Sequence, residues 1–246
     1  RVREAGPVLD ATSDVLCRAS GVSKRFPGAL VLDSVDFTLR RGEVHALLGE
    51  NGAGKSTLIK CLTGAYRRDG GTLELEGQAI DPRSTEEAQA LGIGTVYQEI
   101  NLLPQLSVAD NLFLGRQPRR FGLVRTAAMR RAAAEMLAGY GLDIDVAADL
   151  GSFSVAIQQI VAIARAVDLS GKVLILDEPT ASLDTHEVAM LFRIVRRLKE
   201  RGLGIVFITH FLEQVYELSD RITVLRNGRL VGTRDTASLP RRDLIA

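Results

Sequence analysis

The feature that most constrains the fold is a glycine-rich loop between a short apolar run and a helical segment. The run Val44–Leu48 predicts a buried strand, and Lys55–Leu62 predicts a helix. Between them and just inside the helix lie Gly49, Glu50, Asn51, Gly52, Ala53, Gly54, Lys55, Ser56 and Thr57. Glycines let backbone N–H groups approach an anion closely, and the N-terminus of the following helix favours negative charge. The pattern predicts a phosphate-binding loop rather than a glycine-rich turn with an incidental lysine.

Two residues of this loop have predicted roles of their own. Lys55 supplies a fixed positive charge for the β- and γ-phosphates of a nucleotide. The Ser56 hydroxyl is expected to ligate Mg²⁺, a hard ion that prefers oxygen ligands.

A second apolar run ends in two acidic residues. Val173–Leu176 predicts a buried strand, and Asp177 and Glu178 follow it directly. In open α/β folds, ligands bind where parallel strands end. We therefore expect Asp177 to hold Mg²⁺ through water and Glu178 to act as a general base on an attacking water. Alone, the pair could be ordinary surface acids at a strand end; together with the loop it predicts a nucleotide-hydrolysing site.

Length, charge, cysteine content and hydropathy limit which classes of protein the chain can belong to. The chain has 246 residues, enough for one large α/β domain, and a formal net charge of +1, which gives no support to nucleic-acid binding through a strongly basic surface. Its two cysteines, Cys17 and Cys61, show no metal-ligand spacing and are interpreted as reduced thiols. No apolar run reaches the roughly 18 residues needed to span a bilayer, so work at a membrane requires docking onto another protein.

The order of predicted elements indicates an α/β fold. The first 100 residues contain short strands, such as Val15–Ala19 and Val31–Leu39. Residues from about 101 to 167 are predicted to be helical, with Arg130 and Arg131 on a solvated helix face. Residues 168–246 then alternate strands with helices, which is typical of a mainly parallel sheet covered on both faces. We predict a single domain, with its core in residues 1–100 and 168–246 and a helical subdomain at about 101–167.

Four further motifs, in this order along the chain, identify a family. They are Thr95-Val96-Tyr97-Gln98-Glu99, Phe153-Ser154-Val155-Ala156-Ile157-Gln158-Gln159, Ser182-Leu183-Asp184 and Ile208-Thr209-His210. With the loop and the acids, they resemble the ABC-transporter ATPase domain over nearly the whole chain. Segments 47–58, 62–64, 97–102 and 111–115 are similar to the ATPases that energise uptake of simple sugars, which usually carry two such domains in tandem. This chain matches the first of the two.

The resemblance implies roles for residues that would otherwise be interpreted as structural. Phe26 corresponds to the aromatic residue that stacks on adenine. Gln98 corresponds to the glutamine that reaches Mg²⁺ and contacts the membrane subunit. Ser154 belongs to the signature segment that acts on a nucleotide held by the opposite domain, Asp184 lies at the dimer seam, and His210 hydrogen-bonds the γ-phosphate. The implied cofactors are ATP and Mg²⁺.

The same resemblance implies a P-loop core with an N-terminal antiparallel β subdomain and an inserted α-helical subdomain. Its implied partners are a second ATPase domain, permease subunits and, indirectly, a sugar-binding protein, at the cytoplasmic face of the membrane; no nucleic acid is expected. The chain departs from the pattern at Ile157, where a glutamine is expected, which puts in doubt the composite site that this segment completes. His45 and His186 match no motif and are interpreted as structural or solvent-facing. Two alternatives stay open: a soluble ATPase acting on nucleic acid or ribosomes, and a weakly active regulatory domain.

Overall fold

A computed structural model describes residues 14–97 and 102–241. Its strands are β1 (Val15–Phe26), β2 (Ala29–Arg40), β3 (Val44–Leu48), β4 (Gly70–Leu75), β5 (Gln78–Ile80), β6 (Ile93–Val96), β7 (Arg119–Arg120), β8 (Leu123–Val124), β9 (Val173–Asp177), β10 (Gly204–Ile208), β11 (Arg221–Arg226) and β12 (Arg229–Asp235). Its α-helices are α1 (Lys55–Leu62), α2 (Thr85–Leu91), α3 (Val108–Leu112), α4 (Thr126–Ala138), α5 (Val155–Ser170), α6 (Thr185–Glu200) and α7 (Leu212–Leu218).

A six-stranded sheet forms the centre of the molecule. Its strand order is β12-β11-β3-β10-β9-β6, and every pair is parallel except β11 with β12 at one edge. The strands β3 and β10 are buried along their whole length, as expected for parallel strands covered on both faces. The predicted α/β class with a mainly parallel sheet is confirmed.

Alternate residues of the central strands pack into two different cores. In β9, Leu174 and Leu176 contact a core built largely from α3, α4, α5 and α6. Val173 and Ile175 point the other way, into a core shared with α1, β1 and β2. This alternation follows from the two-residue repeat of a strand. It holds the sheet rigidly between two layers.

The second layer includes a four-stranded antiparallel sheet of order β2-β1-β4-β5. It matches the expected N-terminal antiparallel β unit. The predicted strands here were too short: the paired strands β1 and β2 reach Phe26 and Ala29, because their turn occupies only Pro27 and Gly28.

The stretch predicted to be helical is helical only in part. It contains α3, α4 and α5, but also the hairpin β7–β8 and an irregular segment from Gly139 to Asp149. The hairpin was missed because its strands have two residues each, too few for an alternating pattern. Within the two described stretches, no helix combines the length and hydropathy needed to cross a bilayer.

Candidate functional site

The glycine-rich loop connects β3 to α1 at the carboxyl edge of the central sheet. Gly49 has φ +154°, and a Cβ there would lie 2.4 Å from the carbonyl oxygen of Leu225. Gly54 precedes the first residue of α1 with φ +103°, and a Cβ there would lie 2.8 Å from a methyl carbon of Leu32. Both positions therefore require glycine, for the backbone conformation and for the space.

Hydrogen bonds hold the loop in place from two sides. Lys55 Nζ donates to the carbonyl oxygens of Gly49 at 2.6 Å and Glu50 at 3.0 Å. The backbone N–H of Gly228, in the β11–β12 turn, donates to Ala53 O at 3.0 Å. The loop is thus fixed both by its own lysine and by the turn between two neighbouring strands.

Asp177 and Glu178 lie beside this loop, at the end of β9. Asp177 is the last residue of the strand and is partly exposed. Burial raises its pKa, and the neighbouring Glu178 carboxylate raises it further, while the ammonium groups of Lys55 and Lys60 act in the opposite direction. Asp177 thus interacts electrostatically with Lys55 of the glycine-rich loop. The two residues lie in one site, as expected for motifs at the same edge of a parallel sheet.

Glu178 has an unusual backbone conformation. Its φ is +50°, in the left-handed region that disfavours side chains larger than hydrogen. A hydrogen bond from Glu178 N to Ile208 O, 2.9 Å long, fixes this turn against β10. Strain of this kind persists only where the surroundings impose it, and it concentrates at functional sites.

His210 follows β10 and lies against Glu178. Its Nδ1 is 3.5 Å from Glu178 Oε2, and the imidazole is 61% exposed. Thr209, the first residue after β10, accepts a hydrogen bond from Phe211 N on its Oγ1 at 3.2 Å. This bond spans His210, whose ring stays accessible next to the acid.

A glutamine that no sequence motif marks connects these segments. Gln214 Oε1, on α7, accepts from Thr180 Oγ1 at 2.6 Å and from Thr209 Oγ1 at 3.4 Å. Both threonines are buried. The bond links the turn after Glu178 to the turn that carries His210. No local pattern marks this residue, because its partners come from two other segments.

One cavity of about 310 Å³ brings the loop and the acids together. The residues that line it are Val31, Asn51, Gly52, Gly54, Lys55, Ser56, Thr57, Asp177, Glu178 and Ile208. Val31 comes from β2, so the antiparallel sheet closes one side. The donors and charges on this surface fit a polyphosphate: backbone N–H groups, one ammonium group and two hydroxyls, with two carboxylates opposite.

The lining does not include His210 or the loop residues Gly49, Glu50 and Ala53, nor does it include three predicted residues from other segments. The Phe26 ring packs edge-on against Tyr66, with centroids 5.3 Å apart. Ser154 precedes α5, and its Oγ accepts from Ile157 N at 3.5 Å. Asp184 precedes α6 and forms a capping box: its Oδ1 accepts from Glu187 N at 2.8 Å, and Glu187 Oε2 accepts from Asp184 N at 3.1 Å.

Four other residues that the sequence analysis discussed remain to be located. Gln98 lies outside the described residues. Ile157 is partly buried and packs against the helical core. His45 is fully buried and bonds through Nε2 to Thr223 Oγ1 at 2.7 Å, as expected for a structural histidine, and His186 is exposed.

Comparison with known proteins agrees with this geometry. The family described as ABC transporter matches residues 32–181, more than half of the chain. Among curated relatives, the galactofuranose transporter ATP-binding protein YtfR of Escherichia coli K12 is 64% identical over 94% of this chain and 46% of its own length. The ribose import ATP-binding protein RbsA 1 of Rubrobacter xylanophilus is 57% identical over the same shares. The chain thus spans about half the length of these relatives.

Solved structures show the same fold. A nucleotide-free ATP-binding cassette from an ABC transporter superimposes with a TM-score of 0.80 at 25% identity, over 90% of this chain and 91% of that one. CbiO1 from Clostridium perfringens, part of the ABC transporter complex cbiONQ, gives a TM-score of 0.80 at 26% identity, over 94% and 93%. The chain therefore belongs to the ABC transporter family of ATP-binding domains.

Proposed function

We propose that this chain binds ATP with Mg²⁺, hydrolyses the γ-phosphate, and thereby drives uptake of a sugar through a membrane permease. The observation that carries the proposal is the single cavity lined by both the glycine-rich loop and the Asp177–Glu178 pair. The choice of a sugar as the transported substrate is supported by the names of two relatives, which specify a galactofuranose transporter and ribose import.

The loop would bind the triphosphate through its backbone. Gly52 and Gly54 have positive φ, and α1 begins directly after them, so unpaired N–H groups and the positive end of the helix face the cavity. The Lys55 ammonium group already lies over the loop, held by two carbonyl oxygens. It needs only to exchange those oxygens for phosphate oxygens.

The residues present also fit a magnesium ion. Ser56 and Asp177 line the same cavity and offer a hydroxyl and a carboxylate, the hard oxygen donors that Mg²⁺ prefers. Burial and the adjacent Glu178 both raise the pKa of Asp177, so a bound cation would stabilise its ionised form. A bound Mg²⁺ would supply positive charge that stabilises the negative charge developing on the phosphate oxygens.

Glu178 is the residue we assign to the attacking water. Its carboxylate is 26% exposed at the cavity, so it can accept a hydrogen bond from a water in line with the γ-phosphate. His210, 3.5 Å away, would orient that carboxylate and donate to the γ-phosphate. A backbone hydrogen bond from Glu178 N to Ile208 O and a bond from Phe211 N to Thr209 Oγ1 fix the two turns, which supports a positioned pair.

The other assignments concern a second ATPase domain. We propose that Ser154 and Asp184, which lie outside the cavity lining, contact a nucleotide and the seam of a partner domain. We also propose that Phe26 stacks on adenine, that Gln98 contacts Mg²⁺ and the permease, and that residues 101–167 form the helical subdomain. The site of action would be the cytoplasmic face of the membrane.

Hydrolysis measured over a concentration series tests the proposal. We expect Mg²⁺-dependent release of phosphate from ATP at a rate that rises more than linearly with protein, because two domains must meet. Glu178→Gln should abolish it, whereas Glu213→Gln, an exposed acid on α7, should not. Hydrolysis that persists unchanged in Glu178→Gln would refute the assignment.

A further inference from the structure

The hairpin β7–β8 has an exposed aromatic residue in its turn. Arg119 pairs with Val124 and Arg120 with Leu123, which leaves Phe121 and Gly122 as a two-residue turn. Both turn residues have positive φ, +51° and +81°. Turns of this kind favour asparagine, aspartate or glycine at the first position, because a larger side chain is strained there. The stability of the turn therefore does not explain why a phenylalanine occupies position 121.

Two apolar side chains of this hairpin are also the most exposed large ones in the described residues. Phe121 is 91% exposed and Leu123 is 76% exposed, while the next, Val231 on β12, is 61% exposed. Exposure this high indicates a projecting tip rather than the lining of a groove. Adjacent exposed apolar residues of this kind mark an interaction site.

Charge around the tip is of one sign. From residue 111 to residue 134 the sequence has no acid and six arginines, at 116, 119, 120, 125, 130 and 131. Of these, Arg116 alone forms an ion pair within the described part of the chain, with Asp168. Because the whole chain has a net charge of only +1, this positive charge is local to the hairpin and the start of α4.

We propose that the hairpin is a docking site for the surface of an anionic phospholipid bilayer. Phe121 and Leu123 would enter the boundary between headgroups and acyl chains, and the flanking arginines would contact lipid phosphates. The Arg120 guanidinium lies 5.2 Å from the centre of the Phe121 ring, so charge and apolar surface are presented together, as an interface requires. This inference goes beyond the proposed ATPase function and does not depend on it.

Co-sedimentation with lipid vesicles tests the proposal on the purified chain. We expect binding to vesicles of phosphatidylglycerol and phosphatidylcholine, weakening with salt, and little binding to phosphatidylcholine alone. Arg119→Gln with Arg120→Gln should weaken binding on the order of 30-fold, since each arginine near an anionic surface contributes a factor of about 5. The control pair Arg67→Gln with Arg193→Gln removes the same charge from exposed positions elsewhere and should have little effect.

Fluorescence gives a readout of insertion itself. The chain contains no tryptophan, so Phe121→Trp introduces a single tryptophan at the tip, which can be excited selectively over the four tyrosines. We expect its emission to shift to the blue with anionic vesicles, and no shift for Val231→Trp. Circular dichroism establishes that each variant is folded.

Three results would overturn the proposal. They are absence of binding to anionic vesicles, equal binding to both kinds of vesicle, and binding that the hairpin substitutions leave unchanged. If vesicles do not bind while the same substitutions reduce co-purification with a permease or retention on RNA, the hairpin serves that partner and not the bilayer.

Discussion

Replacing Gln214 with leucine tests whether one hydrogen bond joins the two turns that carry Glu178 and His210. Thr180 Oγ1 donates to Gln214 Oε1 over 2.6 Å, and Thr180 is only 3% exposed. Water cannot replace the lost acceptor, so the threonine hydroxyl becomes a buried, unsatisfied donor. A group in that state costs about 1–3 kcal/mol, and the longer bond from Thr209 adds little. We expect Gln214→Leu to lower the free energy of unfolding by that amount.

Urea unfolding followed by circular dichroism measures the change, because the chain has no tryptophan. Gln89→Leu is the matched control. Gln89 is half-buried on α2 and makes no side-chain hydrogen bond to any described residue, so its replacement should change stability by no more than about 0.5 kcal/mol.

A double-mutant cycle separates the hydrogen bond from the packing of the side chain. When Thr180→Val is combined with Gln214→Leu, the Thr180 hydroxyl that would lose its acceptor is removed as well, and only the longer bond from Thr209 is left without its acceptor. We expect the double variant to lose less stability than the sum of the two single variants, by about 0.5–1.5 kcal/mol. Additive losses, or a loss in Gln214→Leu no larger than in Gln89→Leu, would refute the reasoning.

Three further changes have outcomes set by the structure. Gly49→Ala places a Cβ 2.4 Å from Leu225 O, so we expect a lower melting temperature and loss of ATP binding; unchanged melting would contradict this. Asp184→Ala removes the capping box of α6 and should cost about 0.5–2 kcal/mol in urea unfolding, whereas a neutral result would show that the cap is not needed. Burial lowers the pKa of His45 from 6.5 to about 3, so between these pH values the unfolded chain binds a proton that the folded chain does not. Stability should therefore decrease as the pH falls from 6.5 to about 3, by up to about 1.4 kcal/mol per pH unit, and His45→Asn should flatten that slope.

The parts of the fold that follow local patterns were predictable from the sequence. The strand at Val44–Leu48 and the helix at Lys55–Leu62 have the predicted bounds. The strand β12 was missed because Arg229–Asp235 is an exposed edge strand without an apolar face. Short elements such as α3, with five residues, give too few repeats for a periodic signal.

The candidate site likewise has parts that could be predicted from local sequence motifs and parts that could not. The loop and the acid pair are contiguous motifs, and their meeting follows from parallel strands that end at one edge of a sheet. The bond between Thr180 and Gln214 spans 34 positions of sequence, and no periodicity encodes it. Roles for Ser154 and Asp184 stay predictions, because they concern groups on another domain; in this chain both residues cap helices.

The most direct test measures ATP binding and ATP turnover separately in two variants. If the loop binds the phosphates and Glu178 positions the water, Lys55→Ala should lose binding, while Glu178→Gln should bind Mg²⁺-ATP as tightly as the unaltered chain and hydrolyse it at least about 100-fold more slowly. If Lys55→Ala binds and hydrolyses ATP like the unaltered chain, the phosphates lie elsewhere and the account is wrong.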